Sequence, residues 1–314
     1  MSNFAAMKYH VIAILCVLMW GTTFVSTKIL LNNGLPPNSI FFYRFILAYA
    51  VILFLAPKRL WADNIKDEFL LFCLGLTGGS VYFLVENTAL EYTLVSNVAL
   101  LVCTTPLLTV ILSHWFVKGE RLRRTVLYGS LLALIGVACV VYNGNFILKT
   151  NPTGDFLSLS ASLLWAIYTI VLKRLDSRYP VMFLTRKIFF YGLLTVLPAF
   201  YFSPLVTDTA ILFRPAVTGN LLFLGLFASM LCYALWNNTI KRLGPIRSSN
   251  YLYFNPIVSL ITSAVVIHEK ITPVALIGAA FVLGGVYWAG RKSNKPEGLF
   301  NFHHKSTARR HVDY

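Results

Sequence analysis

Apolar residues fall in long runs along this chain. Runs of about 20 mainly apolar residues, the length a helix needs to cross a bilayer, lie near 9–31, 37–56, 69–90, 94–117, 124–142, 155–174, 180–202, 216–240, 246–267 and 272–290. Segments with charge or turn character separate them at 32–37, 57–68, 118–124, 142–154 and 203–215. The pattern predicts an all-α polytopic membrane protein with ten transmembrane helices. No small-residue cleavage site follows the first run, which reads as a retained first helix.

Composition points the same way. The chain is 57% hydrophobic and 12% charged, with a mean hydropathy of +0.68. Soluble domains carry about 25% charged residues, and a chain with half as many could not cover its surface in water. Five cysteines, Cys16, Cys73, Cys103, Cys139 and Cys232, stand singly in apolar stretches, as small reduced packing residues do. His303–His304 is too short a tract for a metal site, so neither a metal nor a cofactor is expected.

The net charge of +15 could suggest a nucleic-acid partner, but no motif for one is present. Lys and Arg concentrate in the cytoplasmic loops of membrane proteins. With the N-terminus in the cytoplasm, 20 of the 27 Lys and Arg fall on that side, and only Lys149, Arg214 and Lys270 oppose them. The other four, Lys28, Arg44, Arg186 and Lys187, lie within spans or near their ends. A missed span would scramble this alternation. The bias therefore supports ten spans and places both termini in the cytoplasm.

The two halves echo each other. Trp20 and Lys28 match Trp165 and Lys173 at an offset of 145, and Asn87 and Pro106 match Asn237 and Pro256 at 150. Glu120, Gly129 and Gly136 match Glu269, Gly278 and Gly285 at 149, and FFYRFI with Arg44 is echoed by FLTRKI with Arg186. Five spans per half is odd, so the second half must enter the membrane upside down. The loop charges agree, since KGERLRR is strongly basic and its counterpart HEKIT is not. Inverted repeats recur in secondary transporters, with the site near the midplane between the halves. The expected organisation is a first repeat over 1–147, a second over 148–290, and a basic cytoplasmic tail over 291–314. The tail is expected to be disordered or to rest on anionic lipid.

The residues also carry a family likeness. MWGTTFVSTKIL, FFYRF and NVALLVCTTPLLTVILSHWFVKGERL resemble an EamA-type unit, and GDFLSLSASLLWAIYTIVLKRL with SNYLYFNPIVSLITSAVVIHEKIT resembles a second copy. The resemblance is to the ten-helix drug/metabolite transporter superfamily and covers nearly the whole chain. It implies an inner-membrane carrier, commonly an exporter of amino acids or other small metabolites, with a central cavity between two five-helix repeats. It does not specify the substrate.

Charges inside spans are costly and mark candidate functional positions. Lys28, Arg44 and Glu86 are expected to cluster in the outer half of the cavity, pairing with one another or with a substrate carboxylate. The alternatives are that Lys28 snorkels to the interface and Arg44 caps a helix end. Glu86 is read as the one acid clearly within a span, hence the candidate for proton coupling. Asn87 and Asn237 hold matching places and can bond across helices or bind substrate. Among the aromatics, Trp20, Tyr82 and Trp165 lie nearest mid-span and are candidates to line the cavity; Tyr168 and Trp236 complete the candidate substrate-binding set. Pro106 and Pro256 lie inside spans at matching places, as hinges or static kinks. Small residues four apart, Gly75/Gly79, Gly129/Ala133 and Ala280/Gly284, are assigned to helix packing, and Glu120 and Glu269 to loop capping.

The expected partners are a small-molecule substrate and membrane lipid, with the chain a monomer or weak homodimer. No GxxxxGK[ST] motif is present, so no nucleotide site of the chain's own is expected. The competing class is an integral-membrane lipid-modifying enzyme. Such an enzyme needs acids or histidines grouped at the interface, and here they are few and scattered.

Overall fold

The computed structural model describes residues 3–55, 60–93, 95–117, 124–142, 151–175, 177–266 and 272–290. Glu120, Glu269, the loop cations Lys58, Arg59, Lys118, Arg121, Arg123, Lys149 and Lys270, and the tail from Arg291 lie outside the described residues.

Among the described residues the regular structure is helical, with no strand. The long helical runs are α1 (Asn3–Asn32), α2 (Pro37–Leu55), α3 (Ile65–Tyr92), α4 (95–116), α5 (Arg124–Tyr142), α6 (Pro152–Leu175), α7 (Val181–Tyr201), α8 (Pro215–Leu243), α9 (245–266) and α10 (Pro273–Gly290). A short helix, Thr209–Leu212, connects α7 to α8. Stretches of α1, α2, α3, α4, α6, α7 and α8 make seven helices long and apolar enough to cross a membrane. The chain is a multi-pass membrane protein. Two shorter apolar helices, Arg124–Cys139 and Pro273–Ala289, belong to α5 and α10.

The stretch over 246–267 departs from a continuous span. It is built of three pieces, Pro245–Ser249, a 3₁₀ turn Asn250–Phe254, and Asn255–Val266. Proline lacks the N–H that would continue a helix and fits best in its first turn. Pro245 and Pro256 each stand where a new piece begins. Pro106 does the same in α4, where a turn at Cys103–Thr104 precedes Thr105–Phe116.

Lipid offers no hydrogen bonds, so polar groups must be met internally. The hydroxyls of Thr77, Ser158, Thr169, Thr185 and Thr239 accordingly donate to carbonyls one turn back, at 2.8–2.9 Å.

The largest contacts join α5 to α10, α3 to α6 and α7, α4 to α6, α1 to α8 and α9, and α2 to α7 and α8. Glycines set the closest crossings. A Cβ on Gly129 would lie 2.6 Å from Gly285 O, and one on Gly136 would lie 2.6 Å from Gly278 O. The backbones of α5 and α10 touch there. Gly75 and Gly79 lie against Tyr191 and Gly192 of α7. The pairing of Ala280 with Gly284 fails, since both are exposed and a Cβ on Gly284 would meet nothing within 4 Å. Gly278 and Gly285, on another face of α10, make the contact instead.

Helix α3 begins at Ile65, four residues before the apolar run that predicted it. Asn64 caps it by accepting from the Asp67 amide at 2.8 Å. Asp67 and Glu68 therefore belong to its first turn and not to a loop.

A candidate substrate cavity at the centre of the helices

The cavity sits beside two interruptions in regular helix. Both α3 and α8 contain a π-helical stretch, Leu76–Ser80 and Phe223–Leu231. Such stretches loosen the backbone ladder and often accompany functional sites. Side chains from the other half use the carbonyls there. Trp20 Nε1 donates to Ala228 O at 2.9 Å, and Tyr233 Oη donates to Gly78 O at 2.5 Å. Gly78 and Ala228 are 150 residues apart, the offset that relates Asn87 to Asn237.

Trp20, Thr23, Phe24, Arg44, Tyr82, Phe83, Glu86, Val102, Thr105, Trp165, Tyr233, Leu252 and Asn255 enclose a cavity of about 40 Å³. That is room for a few waters and far too little for a metabolite. Its walls are aromatic. The Trp20 and Trp165 rings meet edge to face at 5.4 Å, Tyr82 lies 4.9 Å from Trp165, and Tyr233 lies 5.7 Å from Trp165.

Two opposite charges face this space. Arg44, 2% exposed, donates from Nε to Ser229 Oγ at 2.9 Å and lies 4.1 Å from the centroid of the Phe83 ring. Glu86, 8% exposed, accepts from Tyr82 Oη at 2.6 Å. Each charge is thus held by its own neighbours.

The remaining sequence candidates take other places. Lys28 donates to Leu90 O at 2.8 Å near the end of α3, outside the cavity lining. It does not join Arg44 and Glu86, because the orphan carbonyls of a helix end attract it. Tyr168 and Trp236 are buried behind the lining, where Tyr168 Oη donates to Asn237 Oδ1 and Trp236 packs 4.9 Å from Trp20. Asn237 Nδ2 donates to Thr185 Oγ1 at 2.9 Å, whereas neither amide atom of the buried Asn87 has a partner.

A second polar cluster escaped the sequence reading. Asp67 pairs with Arg178 and accepts from Tyr179 Oη at 2.8 Å. Glu68 pairs with Lys187, accepts from Tyr191 Oη, and accepts from the Ala62 amide at 2.8 Å. Lys187, 3% exposed, lies 4.5 Å from the Trp61 ring centroid. The cluster ties the start of α3 to α7 and the link that precedes it. Asn64 followed by Asp67 and Glu68 was the available signal, since a cap and an acidic first turn mark a helix start.

Comparisons with known proteins agree with this architecture. Two copies of the EamA-like transporter family model match the chain, over residues 7–142 and 152–291. An uncharacterized transporter of Archaeoglobus fulgidus is 28% identical over 293 residues, which cover 92% of this chain and 99% of the relative. A protein of Escherichia coli K12 named "probable amino-acid metabolite efflux pump" is 27% identical, covering 89% of this chain and 94% of its own. A "probable terminal-alkyne amino-acid exporter" of Streptantibioticus cattleyicolor is 25% identical, covering 89% and 92%. One crystal structure superimposes with a TM-score of 0.72 at 19% identity, covering 90% of this chain and 96% of that one, and so shares the fold. With both halves matched, the chain belongs to the EamA-like transporter family.

Proposed function

We propose that this chain is a secondary transporter of the inner membrane that exports amino acids or related small organic solutes. It works by alternating access between two inverted five-helix repeats, with both termini cytoplasmic. The pattern of helix contacts carries the reading. Exchange α1 with α6, α2 with α7, α3 with α8, α4 with α9, and α5 with α10. Then α1–α8 becomes α6–α3, α1–α9 becomes α6–α4, and α2–α8 becomes α7–α3, while α2–α7 and α5–α10 map onto themselves. The glycine contacts obey the same exchange, since Gly129–Gly285 maps onto Gly278–Gly136, as an isologous contact must. In that contact α5 and α10 run antiparallel, which fits a two-fold axis in the membrane plane.

The cavity lies where the halves meet, and Trp20 and Trp165, matched in sequence, touch across it. Arg44, Glu86, Tyr82, Trp20 and Trp165 contact the substrate in this reading, and Tyr168, Trp236 and Asn237 support them. Pro106 and Pro256 are proposed hinges, and 1–147 and 148–290 the moving units. The names of the efflux-pump and exporter relatives favour amino acids as cargo, and no observation favours a lipid-modifying enzyme.

The test is uptake of labelled amino acids into proteoliposomes holding the purified chain, with and without a proton gradient. Gradient-dependent uptake supports the reading, and liposomes no more permeable than empty ones contradict it. If Glu86 carries the proton, Glu86→Gln flattens the pH dependence of uptake; an unchanged profile removes Glu86 from coupling.

A further inference from the structure

We infer that the cavity selects zwitterions with a flat or bulky apolar side chain, Arg44 taking the carboxylate and Glu86 the ammonium. The inference rests on the reading of the chain as a carrier with this cavity as its site. Buried opposite charges inside a membrane ordinarily pair with each other. Here no ion pair joins Arg44 to Glu86. Ser229 and Phe83 hold the guanidinium, and Tyr82 holds the carboxylate. Arg44 spends only Nε, and its terminal nitrogens make no hydrogen bond to the described residues. Those nitrogens form the fork that suits a carboxylate.

Two further lining residues carry unmet polar atoms. Trp165 Nε1 is a donor and Asn255 Oδ1 an acceptor, both buried and without a partner, on residues 6% and 7% exposed. The repeat explains the first. Trp20 donates to Ala228 O, and the matching acceptor for Trp165 is Gly78 O, but the Tyr233 hydroxyl occupies it. The matching residue to Tyr233 is Phe83, which has no hydroxyl to compete for Ala228 O. Trp165, which lines the cavity, is thereby left with an unpartnered N–H. The lining residues thus carry a cation, an anion, an unmet donor and an unmet acceptor, which a zwitterion would satisfy together. A singly charged solute leaves one buried charge unmet.

The rest of the wall is unsuited to a polar side chain. Tyr82, Tyr233 and Trp20 have given their donor hydrogens to protein acceptors, and Thr23 and Thr105 donate to Trp20 O and Val102 O, each at 2.7 Å. The ring edges and faces that remain favour apolar, preferably planar, groups.

The experiment is uptake of labelled L-phenylalanine by proteoliposomes holding the full chain, challenged with 2-phenylethylamine, 3-phenylpropionate or glycine. These lack the carboxylate, the ammonium and the side chain respectively. The expected result is uptake of phenylalanine, with each challenger at least tenfold weaker than unlabelled phenylalanine. Arg44→Gln should abolish the advantage of phenylalanine over 2-phenylethylamine, and Arg44→Lys should restore part of it. If either singly charged analogue competes as well as phenylalanine, zwitterion selection is overturned while the carrier reading stands. If glycine is preferred, the apolar side-chain assignment falls alone. If none of the four solutes enters liposomes whose protein melts cooperatively, both readings fall. Competition uses the unmodified chain, so a variant that misfolds does not blunt the test.

Discussion

The crossing of α3 with α7 and the crossing of α8 with α2 hold equivalent places under the proposed repeat, yet different chemistry fastens them. At α3–α7 two ion pairs, Asp67–Arg178 and Glu68–Lys187, are braced by Tyr179, Tyr191 and Trp61. At the other end Asn38 donates to Ser203 O, Tyr43 Oη donates to Val206 O at 2.6 Å, and Leu30, Leu35, Ile40, Val217, Leu221 and Leu224 pack together. A buried ion pair is costly to break from one side, because the survivor is left without its partner. Neutral hydrogen bonds and apolar contacts give way in smaller steps. Under the proposed orientation the ionic end is cytoplasmic, so the two ends of a carrier cycle differ in how sharply they yield.

Substitutions at the two ends sharpen that contrast. The largest loss is expected for Lys187→Met, which leaves the mostly buried Glu68 with Tyr191 and the Ala62 amide but no cation, and costs about 3 kcal/mol of stability, measured by denaturant unfolding in detergent. Adding Glu68→Gln should recover more than half of it; no recovery would mean that packing, not charge, fastens this end. Arg178→Gln should cost less, about 1.5 kcal/mol, because its side chain is 49% exposed and Asp67 keeps Tyr179 and Asn64. At the neutral end Asn38→Ala is expected to cost about 1 kcal/mol; a loss matching that of Lys187→Met would erase the distinction. Tyr233→Phe should change least, by under about 1 kcal/mol, since Gly78 O then becomes available to Trp165.

Much of this was legible in the sequence, for identifiable reasons. Arg44 and Glu86 stand out because charge in an apolar run is rare, and both line the cavity together with Trp20, Tyr82 and Trp165. Helix positions were readable because span length is set by the bilayer. Which neighbour each side chain meets was not. Lys28 meets α3, the helix that carries Glu86, but one turn further on at Leu90 O, because depth along a span does not say which group of a neighbour a side chain meets. The start of α3 was hidden because Asp67 and Glu68 look like loop charges until Lys187 and Arg178 are known to face them. The π-helical stretches, and with them the partners of Trp20 and Tyr233, have no signature in hydropathy.

The most direct test of the carrier account is access to the cavity from both sides. A Thr23→Cys variant, its native cysteines replaced, would be reacted with a membrane-impermeant thiol reagent in right-side-out and in inverted vesicles. The account predicts labelling from both faces, slowed in each case by a transported amino acid. Labelling from one face alone, unaffected by any amino acid, would contradict it.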